Sequence, residues 1–162
     1  VARYALKAIA NALGLRSLNR TSVQLMLLKS KIHRATVTGA SLDYEGSLTV
    51  SADIAQTVGL LTYEKILVGN LQNGERFETY VIYGAPGKGL IELNGATAHL
   101  GKIGHLLTIM SFARLTAEEA KTHRPQIAVL DRQNRVIRCA HAETRTSRRE
   151  WETEVLQASN RR

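Results

Sequence analysis

The stretch Lys65–Tyr83, KILVGNLQNGERFETYVIY, decides how the rest of the chain is read. Two runs, Lys65 to Leu71 and Arg76 to Tyr83, carry β-branched, aromatic and other apolar residues, and Asn73-Gly74 lies between them. Asn and Gly tolerate the positive φ angles that tight turns demand, so the pair predicts a β-hairpin. Outward from it the pattern repeats in short pieces. Val23 to Ile32, Ala35 to Val37 and Leu48-Thr49-Val50 precede the hairpin; Leu90 to Leu93 and Leu106 to Phe112 follow it. Gln126 to Leu130, then Asn134, then Val136-Ile137 reads as a last pair of strands. Two short helices fit between: Ala52 to Val58, capped by Ser51 and stopped at Gly59, and one starting at Thr116, where Thr116-Ala117-Glu118-Glu119 has the form of a capping box. Many short strands around one- or two-turn helices argue for a mainly β fold, a small closed barrel.

Composition narrows the classes. With 162 residues there is room for one domain and little more. Hydrophobic residues at 44% and charged residues at 22% are ordinary globular usage, and no apolar run approaches the ~18 residues of a membrane span. A single cysteine, Cys139, excludes an internal disulfide and a cysteine-based zinc site. The formal charge of +8 is concentrated at the ends. Residues 1–22 hold Arg3, Lys7, Arg16 and Arg20 and no acid; residues 138–162 hold six arginines against four glutamates; residues 23–137 hold twelve basic residues against ten acidic ones. A nucleic-acid surface needs a basic patch on the folded domain and aromatics to stack on, and aromatics here are only 5%. No nucleic-acid or membrane partner is therefore expected. Ala2, Leu6, Ile9 and Leu13, with Gly14 as a stop, outline a short basic amphipathic helix. It is expected to pack on protein or to be upstream sequence translated by accident, the native start then lying near Val23. Residues 138–162 read as a polar tail.

The chemistry-bearing motifs are few. There is no P-loop, dinucleotide fingerprint or His-Glu-x-x-His, and the five histidines lack ligand spacing, so no metal is expected. Ser47, in Glu45-Gly46-Ser47, lacks the second glycine of a nucleophile elbow. Four blocks remain: Lys31-Ile32-His33-Arg34 running into Ala35-Thr36-Val37-Thr38; Tyr44-Glu45-Gly46-Ser47; Asn73-Gly74-Glu75-Arg76-Phe77-Glu78-Thr79-Tyr80; and Asn94-Gly95-Ala96-Thr97-Ala98-His99. Singly each reads as an ordinary turn or a solvated strand.

In this order and at these intervals the blocks resemble the pyruvoyl-dependent L-aspartate 1-decarboxylases of bacteria, over about residues 23–137. The resemblance implies a double-psi β-barrel, a homotetramer with active sites between subunits, and a cytoplasmic location. It implies that the chain cleaves itself between Gly46 and Ser47, which turns Ser47 into a covalent pyruvoyl group. The pyruvoyl ketone would form a Schiff base with L-aspartate and draw off the electrons released with carbon dioxide. The product would be β-alanine, a precursor of pantothenate and coenzyme A. Position by position, Tyr80 matches the proton donor. Arg76 matches the holder of a substrate carboxylate, and Lys31 adds positive charge. Thr79 matches a substrate-binding position that also stabilises the oxyanion of self-cleavage. Asn94, Gly95, Ala96 and Thr97 would line the pocket, with His33 and Tyr44 in support. Leu48 departs from the family, where smaller residues are frequent after the serine. The sequence leaves open whether maturation needs a helper protein and whether another acid such as glutamate is the substrate. A rival of another class is a non-enzymatic barrel that binds protein or nucleic acid and stays uncleaved; it predicts an intact chain.

Overall fold

The computed structural model describes residues 23–141, which form two compact units. The smaller comprises residues 23–27 and 114–123, the larger residues 28–113 and 124–141. The expected N-terminal helix and most of the polar tail lie outside the described residues.

The chain is mainly β. The strands are β1 (Gln24–Thr36), β2 (Gly39–Ser41), β3 (Ser47–Ser51), β4 (Lys65–Asn70), β5 (Arg76–Gly84), β6 (Ile91–Asn94), β7 (Leu106–Thr116), β8 (Gln126–Leu130) and β9 (Val136–His141). Two short helices, α1 (Ala52–Thr57) and α2 (Ala117–Thr122), and a 3-10 turn (Gly95–His99) complete it. All strands belong to one mixed sheet in the order β2-β6-β3-β5-β4-β7-β1-β8-β9. Parallel pairs (β1 with β8, β2 with β6, β3 with β5) are mixed with antiparallel ones (β3 with β6, β4 with β5, β4 with β7, β8 with β9), which requires crossover connections between the parallel strands. The core of the larger unit gathers Ile32, Val50, Ile66, Val81, Leu93, Ile109 and Leu130, each essentially inaccessible to water.

The hairpin forms as the Asn73-Gly74 signal predicts. β4 and β5 pair antiparallel from Lys65↔Tyr80 to Gly69↔Arg76, and Gly74 takes φ +78 in the turn. Gly59 likewise ends α1 with φ +63, its N–H donating to the Gln56 carbonyl at 3.0 Å. In the smaller unit the capping box of α2 is complete: Glu119 N–H donates to the Thr116 hydroxyl, and Thr116 N–H donates to the Glu119 carboxylate.

Other elements differ from the sequence reading. β1 is one continuous strand, not two pieces. Arg34 adopts φ +66 inside it and shifts the alternation, so that Ile32 and Ala35, three apart, are both buried. β2 was not expected at all; its three residues, Gly39–Ser41, pair only with β6. Ser51 stands at the N-terminus of α1 but does not cap it with its side chain. Its hydroxyl donates to the Ala85 carbonyl and accepts from Leu90 N–H, tying β3 to the loop before β6. β9 continues through His141, beyond the boundary at residue 138 where a tail was expected, because β8 offers it an antiparallel partner as far as Gln126↔His141.

Candidate active site

β3 lies between β5, which it parallels, and β6, which it opposes, and all five of its residues are buried. Its first residue, Ser47, is wholly inaccessible. The preceding segment, Leu42 to Glu45, is exposed, and Gly46 between them takes φ +93. Only glycine enters that conformation without strain. The Gly46–Ser47 peptide bond therefore sits where an exposed loop turns abruptly into a buried strand.

Asn94, the last residue of β6, is the register partner of Ser47. Its amide Nδ2 donates to Ser47 Oγ at 2.8 Å and to Thr49 Oγ1 at 2.9 Å. Ser47 and Thr49 can share this donor because residues two apart on a strand face the same way. The Thr97 hydroxyl lies 2.9 Å from the Asn94 carbonyl oxygen and 3.3 Å from that of Ser47. Gly95 closes the arrangement. Its φ is +61, and a β-carbon there would lie 2.5 Å from the Tyr44 carbonyl oxygen and 2.7 Å from the Gly46 nitrogen. Gly46, Ser47, Asn94, Gly95 and Thr97 are thus brought together, with the Tyr44 backbone against them. Ala96 is exposed beside this group, and the Tyr44 side chain also faces solvent. Leu48 is wholly buried between Val81 and Leu93, so its larger side chain fills core.

The remaining expected residues are arranged differently. On β5, Arg76, Glu78 and Tyr80 are exposed, whereas Phe77 and Thr79 are half-buried and Val81 is buried. Arg76 and Tyr80 share one face of the strand, and Thr79 points to the other. Leu48 lies beside Val81 in the parallel ladder, so Ser47 and Tyr80 are the residues just before that pair. The Tyr80 ring packs against that of Tyr63, with centroids 6.4 Å apart. Lys31 and His33 are half-buried on β1, which β5, β4 and β7 separate from β3 in the sheet order. His33 Nδ1 lies 3.2 Å from the Thr108 hydroxyl. Burial, reinforced by the charges of Lys31 and Arg34, pushes His33 below the ordinary histidine value and so favours the uncharged ring.

Two residues at this site carry little signal in the sequence. Thr49 is betrayed only by strand alternation, two residues after Ser47. Tyr63 is not announced at all, since Leu61-Thr62-Tyr63-Glu64 holds no Gly or Asn to signal its positive φ. Among the described residues, no group of three or more His, Cys, Asp and Glu could hold a metal ion, and no helix is long and apolar enough to cross a membrane.

The chain is similar to known decarboxylases over nearly all of the described residues. The aspartate decarboxylase family pattern matches residues 23–137. An aspartate 1-decarboxylase of Caldicellulosiruptor saccharolyticus is 50% identical over 117 residues, which cover 72% of this chain and 91% of that protein. An aspartate 1-decarboxylase of Chloroherpeton thalassium is 48% identical over 113 residues, 70% of this chain and 83% of that protein. One from Listeria monocytogenes is 50% identical over 110 residues, 68% of this chain and 87% of that protein. The family match runs from the start of β1 into β9 and takes in Ser47, Tyr80 and Asn94, so the chain belongs to the aspartate decarboxylase family.

Proposed function

We propose that this chain is a self-processing enzyme that decarboxylates L-aspartate to β-alanine and carbon dioxide, the β-alanine serving pantothenate and coenzyme A synthesis in the cytoplasm. The observation that carries this reading is the setting of the Gly46–Ser47 bond: a left-handed glycine, a buried serine hydroxyl, and an asparagine amide donating to that hydroxyl. In the first step Ser47 Oγ attacks the Gly46 carbonyl carbon, the Gly46–Ser47 C–N bond breaks, and an ester replaces the amide. The Asn94 amide is placed to stabilise negative charge on the attacking oxygen. Thr79 is assigned to the oxyanion on the carbonyl. Loss of the Ser47 α-proton then expels the Gly46 carboxylate. One water enters and one ammonia leaves, so that residues 47–162 begin with a pyruvoyl group.

Donors at Asn94 and Thr97 beside a wholly buried Ser47 fit such a group, because its carbonyl oxygens need hydrogen-bond donors in a dry site. The pyruvoyl group supplies a ketone that binds the substrate amine and accepts the electrons released on decarboxylation. The other roles fall to side chains. Arg76 offers a planar fork for one substrate carboxylate, and Lys31 adds a second positive charge. Tyr80 Oη returns a proton to the substrate α-carbon after carbon dioxide departs. Asn94, Gly95, Ala96, Thr97 and Thr79 line the pocket, and His33 and Tyr44 support it. Three strands separate Lys31 on β1 from β3 in the sheet order, which supports a homotetramer whose sites are completed between subunits.

The test is turnover by the purified, cleaved protein. β-Alanine is expected from L-aspartate, with glutamate turned over far more slowly, and Ser47→Ala is expected to remain uncleaved and inactive. An uncleaved Ser47→Ala protein with full activity would contradict the mechanism. A purified precursor that cleaves on standing needs no helper protein.

A further inference from the structure

Tyr63 combines three features that packing alone does not explain. It has φ +64, a conformation that disfavours bulky side chains. It is 75% exposed, so little burial offsets that strain. Its ring nevertheless lies 6.4 Å from the Tyr80 ring at an interplanar angle of 44°, within the range of favourable tilted aromatic pairs.

The turn that bears Tyr63 is tightly held. Tyr63 N–H donates to the Val81 carbonyl at 2.7 Å, and Val81 N–H donates to the Glu64 carbonyl at 3.1 Å. Glu64 N–H donates to the Leu61 carbonyl, and Leu61 N–H to the Glu64 carboxylate. Lys29 Nζ pairs with that same carboxylate at 2.6 Å. These bonds fix the turn against the residue directly after Tyr80, and none of them involves the Tyr63 side chain. An asparagine would accept the same φ with less strain. What the tyrosine adds is its ring beside Tyr80.

We propose that Tyr63 is a positioning residue for Tyr80: the clamped turn holds its ring as a wall that restricts the rotamers of the proton donor. This rests on the assignment of Tyr80 as that donor. At 37% exposure Tyr80 has room to swing, and a proton transfer needs its hydroxyl in one place.

Kinetics of fully cleaved Tyr63→Asn and Tyr63→Phe enzymes, alone and combined with Tyr80→Phe, test it. Tyr63→Asn is expected to lower kcat by about tenfold, with KM unchanged and Tm equal or higher. Tyr63→Phe, which keeps the ring, is expected to stay within about twofold of the parent enzyme. In the Tyr80→Phe background, Tyr63→Asn is expected to cost nothing more, since no hydroxyl remains to be positioned. An unchanged kcat in Tyr63→Asn, an equal loss in Tyr63→Phe, or a loss that persists in the Tyr80→Phe background would each overturn the proposal. Failure of the underlying assignment looks different: Tyr80→Phe itself would then be as active as the parent.

Discussion

At Gly95 there is no room for even a methyl group. A β-carbon would press on the Tyr44 carbonyl oxygen and the Gly46 nitrogen, both backbone atoms of the segment that leads to the cleavage site. Gly95→Ala is therefore expected to cost about 2–4 kcal/mol, from the positive φ and the clash together, and to slow self-cleavage. A thermal melt and a gel time course read the two effects, and a variant with parental Tm and cleavage would contradict the geometry. Asn94 makes a separate point. Removing its amide in Asn94→Ala leaves Ser47 Oγ and Thr49 Oγ1 without their donor inside the core. Cleavage is expected to slow by about 10²-fold, the scale of one lost oxyanion-type donor. Parental cleavage kinetics would show that the Asn94 contact is only structural. At this scale the sequence was informative where a motif named the residue, as with Gly46-Ser47 and Asn94-Gly95. It was silent on Thr49, whose importance comes from sharing an amide with a residue on another strand, a relation that spacing along one chain does not reveal.

Among the elements, the Leu61–Glu64 turn has a pH dependence that can be signed. Burial tends to raise the Glu64 carboxyl, but the Lys29 ammonium and the Leu61 N–H outweigh it and hold the group below its ordinary value of 4.5. The unfolded chain then binds a proton more readily than the folded one. The contribution to stability is present above the ordinary carboxylate value and is lost as pH falls through the lower folded value. Glu64→Gln is expected to flatten the acid side of a Tm-against-pH curve; curves that stay parallel below the ordinary value would contradict this. Asn134 braces three elements at once. Its side chain donates to the Thr36 and Gly89 carbonyls, each at 2.7 Å, and accepts from Thr36 N–H at 2.7 Å, with its own φ at +58. Asn134→Ala is expected to cost about 2–4 kcal/mol in chemical denaturation, and a loss under about 0.5 kcal/mol would contradict the brace. Asn134 was legible only as a turn residue between β8 and β9, because its partners are distant in sequence. The same limit explains Ser51, whose hydroxyl bonds across to Ala85 and Leu90 and leaves the helix uncapped. The β4–β5 hairpin and the α2 capping box were legible because all their determinants are local.

For the molecule as a whole, alternation and turn signals indicated a mainly β chain, but strand order was beyond them. Which strand β1 or β3 parallels is set by crossovers and by burial on both faces, and neither leaves a mark in a window of ten residues. The family blocks supplied what periodicity lacked, and they reached correctly across residues 23–137. The placement of Lys31 and Ser47 on strands separated by three others bears on assembly. Sedimentation of the cleaved protein is expected to report a tetramer, and an active monomer would contradict sites shared between subunits. The central claim, that the Gly46–Ser47 junction is built to break, is tested most directly by the intact mass of the purified protein under denaturing conditions. Two chains divided between Gly46 and Ser47, the larger lighter than its serine-ended form by the mass of one ammonia, are the predicted result. A single uncleaved chain that nevertheless decarboxylates aspartate would contradict it.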